Sequence, residues 1–405
     1  MPGFRRTAPL SAILEHISAL RPGQEPTENL TFTSHGHLTL GAEVELQIID
    51  RETGGLVPRS EDILAAAGDW KNLHPEFYLS TVEIATDKCA DAHEVHRDLA
   101  DSLDRLDAIG EDVNVAFATT ACHPFARYAD CIITPTPRYS QLIDRNQWLT
   151  RRMTVYGLHI HIGMRSGDEC IRFNNFFLHF LPHLVALTAS SPFWQGEDTG
   201  LASCRPTTYE ALPTAGQPYI VGSWAEFEQM YTTLKACRSI ESVKDLWWDL
   251  RPSPGYGTLE IRVCDGLASL EETVAIVAFV HGLAHWFSEH ANWLEQVPPP
   301  PRWLARENKW RAMRFGLDAD LVTSLDGSLR SVRDDIRDWC RRIAPMTDEL
   351  GYGAYMETIE RVLMRGNSAM RQRGIMAATG SLRDVSLHNV AEFVERRPVW
   401  GNTPS

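Results

Sequence analysis

Two pairs of potential metal ligands occur at alternating positions in the sequence. Glu43 and Glu45 are separated by one valine, and His159 and His161 by one isoleucine. In an extended chain, residues two positions apart point to the same face, about 6.6–7 Å apart. Carboxylate oxygens suit hard cations such as Mg²⁺ or Mn²⁺, and imidazole nitrogens also bind metals. Taken alone, either pair could be a solvated or hydrogen-bonded strand face, and the pattern does not choose between the two histidines.

Acids and arginines in further stretches favour phosphate and metal chemistry. Glu260 and Arg262 alternate in GTLEIRVCD, and they form either a simple ion pair or a metal ligand beside a phosphate-binding guanidinium. Glu83 in STVEIAT adds another strand-borne acid. Arg251 in DLRPSPGYG and Arg205 in LASCRP each precede a proline, so each either stabilises a turn or is held rigidly toward a phosphate. Together these stretches predict a catalytic sheet lined with metal ligands.

The residues with potential chemistry lie in runs that alternate like β-strands, and long helical patterns separate these runs. Strand-like runs cover residues 38–50, 80–89, 113–120, 154–164 and 255–265. Helical patterns cover residues 8–20, 91–110, 171–193, 270–296 and most of 303–400. The Gly- and Pro-rich segments 195–218 and 251–257 are predicted to be loops that cover the site. The uneven spacing of strands and helices indicates an α+β fold rather than repeated βαβ units.

The composition excludes several classes of function. The 405 residues include 53 acids and 39 lysines and arginines, which gives a net charge of -14 and disfavours binding to nucleic acid or anionic lipid. The eight cysteines are scattered singly, as expected of free thiols in a reducing cytoplasm. No apolar run approaches the roughly 18 residues of a membrane span, and the first 20 residues do not resemble a signal peptide.

Sequence motifs of several other enzyme classes are absent. The chain lacks GxxxxGK[ST], so a P-loop does not hold a nucleotide here. It also lacks HExxH and GxSxG, which argues against a zincin or an α/β-hydrolase. An acidic chain that binds a polyanion such as ATP therefore needs metal ions and locally placed arginines.

Seven ordered motifs resemble those of the type 2 glutamate–cysteine ligase family of carboxylate–amine ligases. They are GAEVELQIID, STVEIATDKC, GLHIHIG, SPFWQGEDTGLASCRP, DLWWDLRPSPGYGTLEIRVCD, AHWF and ENKWRAMRFGLD. The resemblance runs from about residue 38 to 395. We therefore expect an N-terminal extension at residues 1–37 and a catalytic domain at residues 38–405.

The resemblance implies a glutamine-synthetase-like catalytic domain, in which a largely antiparallel, curved sheet forms a metal-lined funnel with flanking helices. The implied metal ligands, for Mg²⁺ or Mn²⁺, are Glu43, Glu45, Glu83, His159 and Glu260. The implied catalytic residues, which hold the phosphate in transit, are Arg262 and Arg251. The residues expected to contact ATP are Arg251, Arg262, Arg205 and His161, with His161 beside the metal ligands.

The implied reaction is ATP-dependent formation of an amide from a small carboxylate and a small amine through an acyl phosphate. Glutamate and cysteine are the substrates that the family name suggests, although the sequence does not show which side chains select them. We expect a cytoplasmic homo-oligomer that binds neither nucleic acid nor membrane. The alternatives are a metal-dependent amide hydrolase that uses the HxH pair and a non-catalytic nucleotide-binding protein.

Overall fold

A seven-stranded antiparallel sheet forms the centre of the computed structural model, which describes residues 30–400. Its strands are β1 (Leu40–Ile49), β2 (Leu73–Pro75), β3 (Thr81–Ala85), β4 (Ala116–Ala118), β5 (Leu158–Gly163), β10 (Leu250–Ser253) and β11 (Thr258–Ile261). The order across the sheet is β10-β11-β5-β1-β3-β2. β5 and β4 pair with successive parts of one edge of β1, and β3 pairs with the middle of the other edge.

Three two-stranded ribbons lie outside this sheet in the described part of the chain. They are β6 (Phe193–Trp194) with β7 (Glu197–Asp198), β8 (Ala215–Gly216) with β9 (Trp247–Trp248), and β12 (Asp320–Val322) with β13 (Leu329–Ser331). The last ribbon was not predicted, because its residues fall within a region whose pattern is mostly helical.

Residues 30–400 contain fifteen α-helices. The first eight are α1 (Ser60–Ala67), α2 (Ala92–Asp112), α3 (Pro137–Asn146), α4 (Trp148–Arg151), α5 (Gly167–Phe177), α6 (Leu181–Thr188), α7 (Arg205–Tyr209) and α8 (Trp224–Ala236). The others are α9 (Leu270–Glu289), α10 (Trp293–Gln296), α11 (Arg302–Phe315), α12 (Val332–Glu349), α13 (Gly353–Arg365), α14 (Ser368–Thr379) and α15 (Leu382–Glu395). None of these helices combines the length and apolar character that crossing a bilayer requires. The helix predicted at residues 8–20 lies outside the described part.

Alternation along β1 separates the two faces of the sheet. Its even-numbered residues from Leu40 to Ile48 are buried and belong to the main hydrophobic core. Helices α2, α5 and α9 cover this apolar face, and α9 is buried over most of its length. The opposite face carries Glu43 and Glu45, as the sequence predicted. The helices thus fix the sheet from one side and leave the polar face available.

The predicted boundaries were wrong at three places for identifiable reasons. The helical pattern at 171–193 forms two helices, because Pro182 cannot donate a backbone hydrogen bond and lies in the first turn of α6 instead. The pattern at 270–296 likewise ends at Glu289 and resumes as the short α10. Arg251 and Pro252 lie in β10 rather than in a covering loop, and the proline is tolerated because β10 is an edge strand.

Residues 30–38, which we call the strap, lie across the sheet at the ends of β5 and β10. The Leu38 amide donates to the Gly163 carbonyl at 2.8 Å, and the Thr33 amide donates to the Pro254 carbonyl at 3.0 Å. Gly257 has a φ of +64°, and a Cβ there would lie 2.1 Å from the carbonyl oxygen of Thr33. The strap therefore fits against backbone that carries no side chain.

Candidate active site

A cleft of about 1060 Å³ lies over the polar face of the sheet. Its walls come from the central strands, from the strap, from helix α3 and from the segments before and after that helix. All nine residues that the sequence analysis singled out line this cleft: Glu43, Glu45, Glu83, His159, His161, Arg205, Arg251, Glu260 and Arg262. Residues separated by more than 200 positions in the chain thus converge on one surface.

Strand register explains how these residues meet. Glu43 on β1 is opposite His159 on β5, and Glu45 is opposite Glu83 on β3. His161 is opposite Glu260 on β11, which is in turn opposite Arg251 on β10. Directly opposed residues of an antiparallel pair have Cβ atoms about 4.5–5.5 Å apart. The alternation read from each stretch therefore becomes a continuous row of charged and imidazole groups across five strands.

Glu43 lies between the two histidines. Its Oε2 is 3.1 Å from His159 Nδ1, and its Oε1 is 3.2 Å from His161 Nε2. Burial alone would raise the pKa of Glu43, but contacts with His159 and His161 outweigh burial and hold that pKa well below its usual range. Burial and the nearby Arg262 lower the pKa of His159, which favours the neutral imidazole. Glu43 is thus a carboxylate, and His159 is in the protonation state that a metal ligand needs.

Two arginines compensate the negative charge of Glu260. Arg251 donates from Nε to Glu260 Oε2 and from Nη2 to Oε1, both at 2.9 Å, and Arg262 Nη1 donates to Oε1. These guanidiniums outweigh burial and hold the pKa of Glu260 below its usual range. Arg251 also donates to the carbonyls of Lys244 and Leu246, so most of its donors are committed. Arg262 keeps donors that bond to no other residue within 30–400, and it remains the freer of the two guanidiniums.

A second acidic group contains a residue that the sequence analysis missed. Oxygens of Glu45, Glu76 and Glu83 lie within 4.8 Å of one another. Burial and the neighbouring acids Glu76 and Glu43 raise the pKa of Glu83 well above its usual range, and burial together with Glu45 raises that of Glu76 to about 7. Glu76 follows β2 without strand alternation, so its only sequence signal is an acid between a proline and two aromatic residues. These carboxylates need a cation more than Glu260 does.

The donor set fits divalent cations. Two further groups of candidate ligand atoms also lie within 4.8 Å, one formed by Glu43, His161 and Glu260 and the other by Glu43, Glu83 and His159. His159 Nε2 is buried and makes no hydrogen bond within the described residues, and the only partner of the buried His161 Nε2 there is Glu43, at 3.2 Å. The carboxylate oxygens, which outnumber the imidazoles, suit Mg²⁺ or Mn²⁺. Both histidines belong to candidate groups, so the geometry leaves the choice between them open.

Arg205 lies in the wall of the cleft and supports the backbone at Arg262. Its Nη1 donates to the carbonyls of Arg262 at 3.2 Å and Val263 at 3.4 Å, while its buried Nε has no partner within residues 30–400. A Cβ at Gly157 would lie 2.3 Å from Arg205 Nη2, so only glycine leaves room for this guanidinium. Arg205 thus combines a structural contact with an open donor at the cleft.

The cleft also contains an arginine near Glu76 that sequence reasoning missed. Arg138, in the first turn of α3, is exposed, lines the cleft and forms no ion pair within the described residues. Tyr139 packs edge-on against Phe77 at 5.2 Å between ring centroids, which places α3 beside the Glu76 group. An unpaired guanidinium there can bind a carboxylate.

Comparison with known sequences places these features in a family context. The model of glutamate–cysteine ligase family 2 matches residues 39–388. A relative from Bdellovibrio bacteriovorus, provisionally named glutamate–cysteine ligase 2, is 43% identical over 351 residues, covering 86% of this chain and 92% of the relative. A relative of the same provisional name from Thermobifida fusca is 36% identical over 380 residues, covering 92% of this chain and 95% of the relative.

Solved structures show the same fold. The glutamate–cysteine ligase of Francisella tularensis in complex with AMP has a TM-score of 0.64 at 13% identity, covering 89% of this chain and 90% of that chain. A bifunctional glutathione synthetase from Pasteurella multocida has a TM-score of 0.59 at 14% identity, covering 88% of this chain and 51% of that chain. The likeness confirms the predicted α+β class with a largely antiparallel sheet.

Proposed function

This chain belongs to glutamate–cysteine ligase family 2, and from that premise we propose that the cleft is the active site of an ATP-dependent carboxylate–amine ligase. Membership of the family makes the chain a ligase that acts on small molecules. The observation that carries the assignment of the site is the alignment of Glu43, Glu83, His159 and Arg262 along one polar sheet face. We propose that this face is the metal-lined funnel of the fold.

The reaction proceeds in two steps. An oxygen of the substrate carboxylate bonds to the γ-phosphorus of ATP while the bond from that phosphorus to the bridging oxygen breaks, giving an acyl phosphate and ADP. The amine nitrogen then bonds to the acyl carbon, phosphate leaves, and the nitrogen loses a proton. Neither step requires a covalent bond to the protein, so catalysis depends on positioning and electrostatics.

The acids of the cleft would hold the metal ions. The proposed ligands are Glu43, Glu45, Glu76, Glu83, His159 and Glu260. Divalent cations held by these residues would neutralise phosphate oxygens and favour in-line attack. The raised pKa values of Glu76 and Glu83 support this assignment, because buried carboxylates that repel one another are stabilised by a cation.

The arginines have separate roles in this proposal. Arg262 stabilises the phosphoryl group as charge shifts during transfer, because part of its guanidinium is not committed to Glu260. Arg251 and Arg205 fix the surrounding groups and contact the nucleotide from the wall, with His161 beside the metal ligands. Arg138 is exposed in the cleft and would bind a substrate carboxylate that does not react.

The names of the relatives make glutamate and cysteine the first substrate pair to test. The decisive experiment measures ADP release in the presence of Mg²⁺ for a panel of carboxylates combined with a panel of amines. We expect release to depend on one carboxylate, one amine and the metal together. Amide hydrolysis without ATP would instead identify a hydrolase, and ATP binding without turnover for any pair would identify a binding protein.

A matched pair of variants ties this activity to the cleft. Glu43→Gln removes a charge with little change of volume, so it should abolish turnover while leaving the fold intact. Glu61→Gln, on the exposed first turn of α1, is the control and should turn over normally. Normal turnover in Glu43→Gln at ordinary Mg²⁺ would remove Glu43 from the proposed ligands.

The organisation of the whole chain is also part of the proposal. We propose a catalytic domain at residues 38–405 after an extension at residues 1–37, and a homo-oligomer that works in the cytoplasm. Sedimentation equilibrium of the full chain tests the oligomer, since a monomer at micromolar concentration would contradict it. Fractionation of cells tests the location.

A further inference from the structure

A buried lysine lies behind the cleft without lining it. Lys309 of α11 is 3% exposed, and its Nζ lies 2.6 Å from both carboxylate oxygens of Asp249. The same ammonium contacts Glu210, and the Tyr209 hydroxyl donates to Asp249 Oδ1 at 2.7 Å. Burial alone would lower the pKa of Lys309, but the acidic groups around it, Asp249 foremost, raise that pKa, so the ammonium stays charged. We call these four residues the Lys309 cluster.

The Lys309 cluster supports the backbone of Arg262 through Asp249. The Arg262 amide donates to the Asp249 carbonyl at 2.8 Å, and the Asp249 amide donates to the Gly216 carbonyl at 2.8 Å. Asp249 lies between β9 and β10, where these two backbone hydrogen bonds hold its main chain and Lys309 anchors its side chain. The position of the Arg262 amide therefore depends on the ion pair behind it.

A second series of contacts links the same cluster to the carbonyl group of Arg262. Tyr209 and Arg205 belong to the same short helix α7, and the Arg205 guanidinium lies 5.1 Å from the centre of the Tyr209 ring. Arg205 donates to the Arg262 carbonyl. Both backbone polar groups of Arg262 are thus held by residues that contact the Lys309 cluster or belong to it.

We propose that Lys309 is a positioning residue for the ligation reaction, which acts by holding Asp249 and through it the backbone of Arg262. The proposal rests on the proposed role of Arg262 in phosphoryl transfer. A buried ion pair is often no more stabilising than apolar side chains of similar volume, so stability alone does not account for a charged group here. A displacement of about 1 Å in a group that contacts the transition state can cost on the order of 10²-fold in rate.

Arg371 provides a matched control. Like Lys309, it is a buried cation that bridges two carboxylates, in this case Glu272 and Glu392, with contacts of 2.6–2.9 Å to the nearest oxygens. It does not line the cleft and touches no residue of the Lys309 cluster within the described chain. Lys309→Met and Arg371→Met should therefore both lower the melting temperature, whereas only one of them should affect chemistry.

The experiment measures kcat, KM for ATP and melting temperature for both variants. We expect Lys309→Met to lower kcat per folded molecule by about 10-fold or more with KM within about threefold, because only the placement of Arg262 changes. Arg371→Met should leave kcat per folded molecule unchanged. Equal effects of the two variants on kcat would overturn the proposal, while absence of turnover in the unaltered protein would instead refute the proposed function.

A double-mutant cycle tests whether Lys309 acts through Arg262. In an Arg262→Lys background, Lys309→Met should lower kcat little further, although its effect on melting temperature should persist. Effects on kcat that multiply would contradict the proposal. If Lys309→Met does not fold, Lys309→Met combined with Asp249→Asn removes both charges and takes its place. That double variant should fold and still show the lowered kcat, and a normal kcat would overturn the proposal.

Discussion

Replacing Arg262 with lysine separates its proposed catalytic role from that of an ordinary ion pair. Arg262 donates to Glu260 through Nη1 alone, while its side chain also lines the cleft. A lysine ammonium can keep that ion pair, but it cannot also present a planar fork to a phosphoryl group. Loss of one preorganised donor costs roughly 10²-fold in kcat, which corresponds to about 2.7 kcal/mol. KM for ATP should change by less than about threefold, because the lost contact matters most during transfer.

Steady-state ADP release and a melting curve, both measured on the same sample of Arg262→Lys, distinguish the catalytic role from the ion pair. Arg337→Lys is the control, because Arg337 also pairs with a glutamate, Glu360, but lies on the surface away from the cleft. The control should keep both kcat and melting temperature. An unchanged kcat in Arg262→Lys together with a lowered melting temperature would show that Arg262 only pairs with Glu260. Arg262 would then not be a catalytic residue.

Three further predictions follow from the cleft and the strap. Glu76→Gln should weaken the apparent affinity for Mg²⁺ by about 10-fold or more, read from the Mg²⁺ dependence of ADP release; an unchanged titration would exclude Glu76 as a ligand. His159→Ala should weaken metal affinity more than His161→Ala, and titration of both variants with Mn²⁺ would refute this if the order were equal or reversed. Gly257→Ala should lower the free energy of unfolding by more than about 1 kcal/mol in urea denaturation, because its positive φ and the carbonyl of Thr33 leave no room for a Cβ; wild-type stability would contradict that reasoning.

Much of the polar sheet face was predictable because polar and apolar residues alternate along each strand. The alternation in β1 placed Glu43 on the face opposite the apolar core, and the same rule placed His159 and His161 on one face of β5. In an antiparallel sheet, only a few registers keep the polar residues of these strands on the same face. The strand-borne residues among the nine met in one cleft for this reason, whereas Arg205 reaches the same cleft from helix α7.

The remaining features depend on contacts that a local pattern does not contain. Glu76 belongs to the acidic group only because β2 pairs with β3 and turns the chain back toward Glu45. Arg251 looked like a loop residue because two prolines follow it closely, yet an edge strand tolerates proline. Lys309 is separated from Asp249 by 60 positions, and nothing in the helical pattern of α11 distinguishes it from a solvent-exposed lysine.

The strap also bears on where this protein can be shortened. The family match begins at residue 39, so a boundary chosen from sequence similarity would remove the strap. His35 and Gly36 line the cleft, and Gly163 and Gly257 leave room for the strap backbone. A chain cut at residue 39 would therefore keep every acid and arginine of the catalytic face but lose one wall around it. We expect such a protein to bind its substrates more loosely and to admit water to the acyl phosphate, so that a trimmed sample would pass for a poor ligase or a slow ATPase.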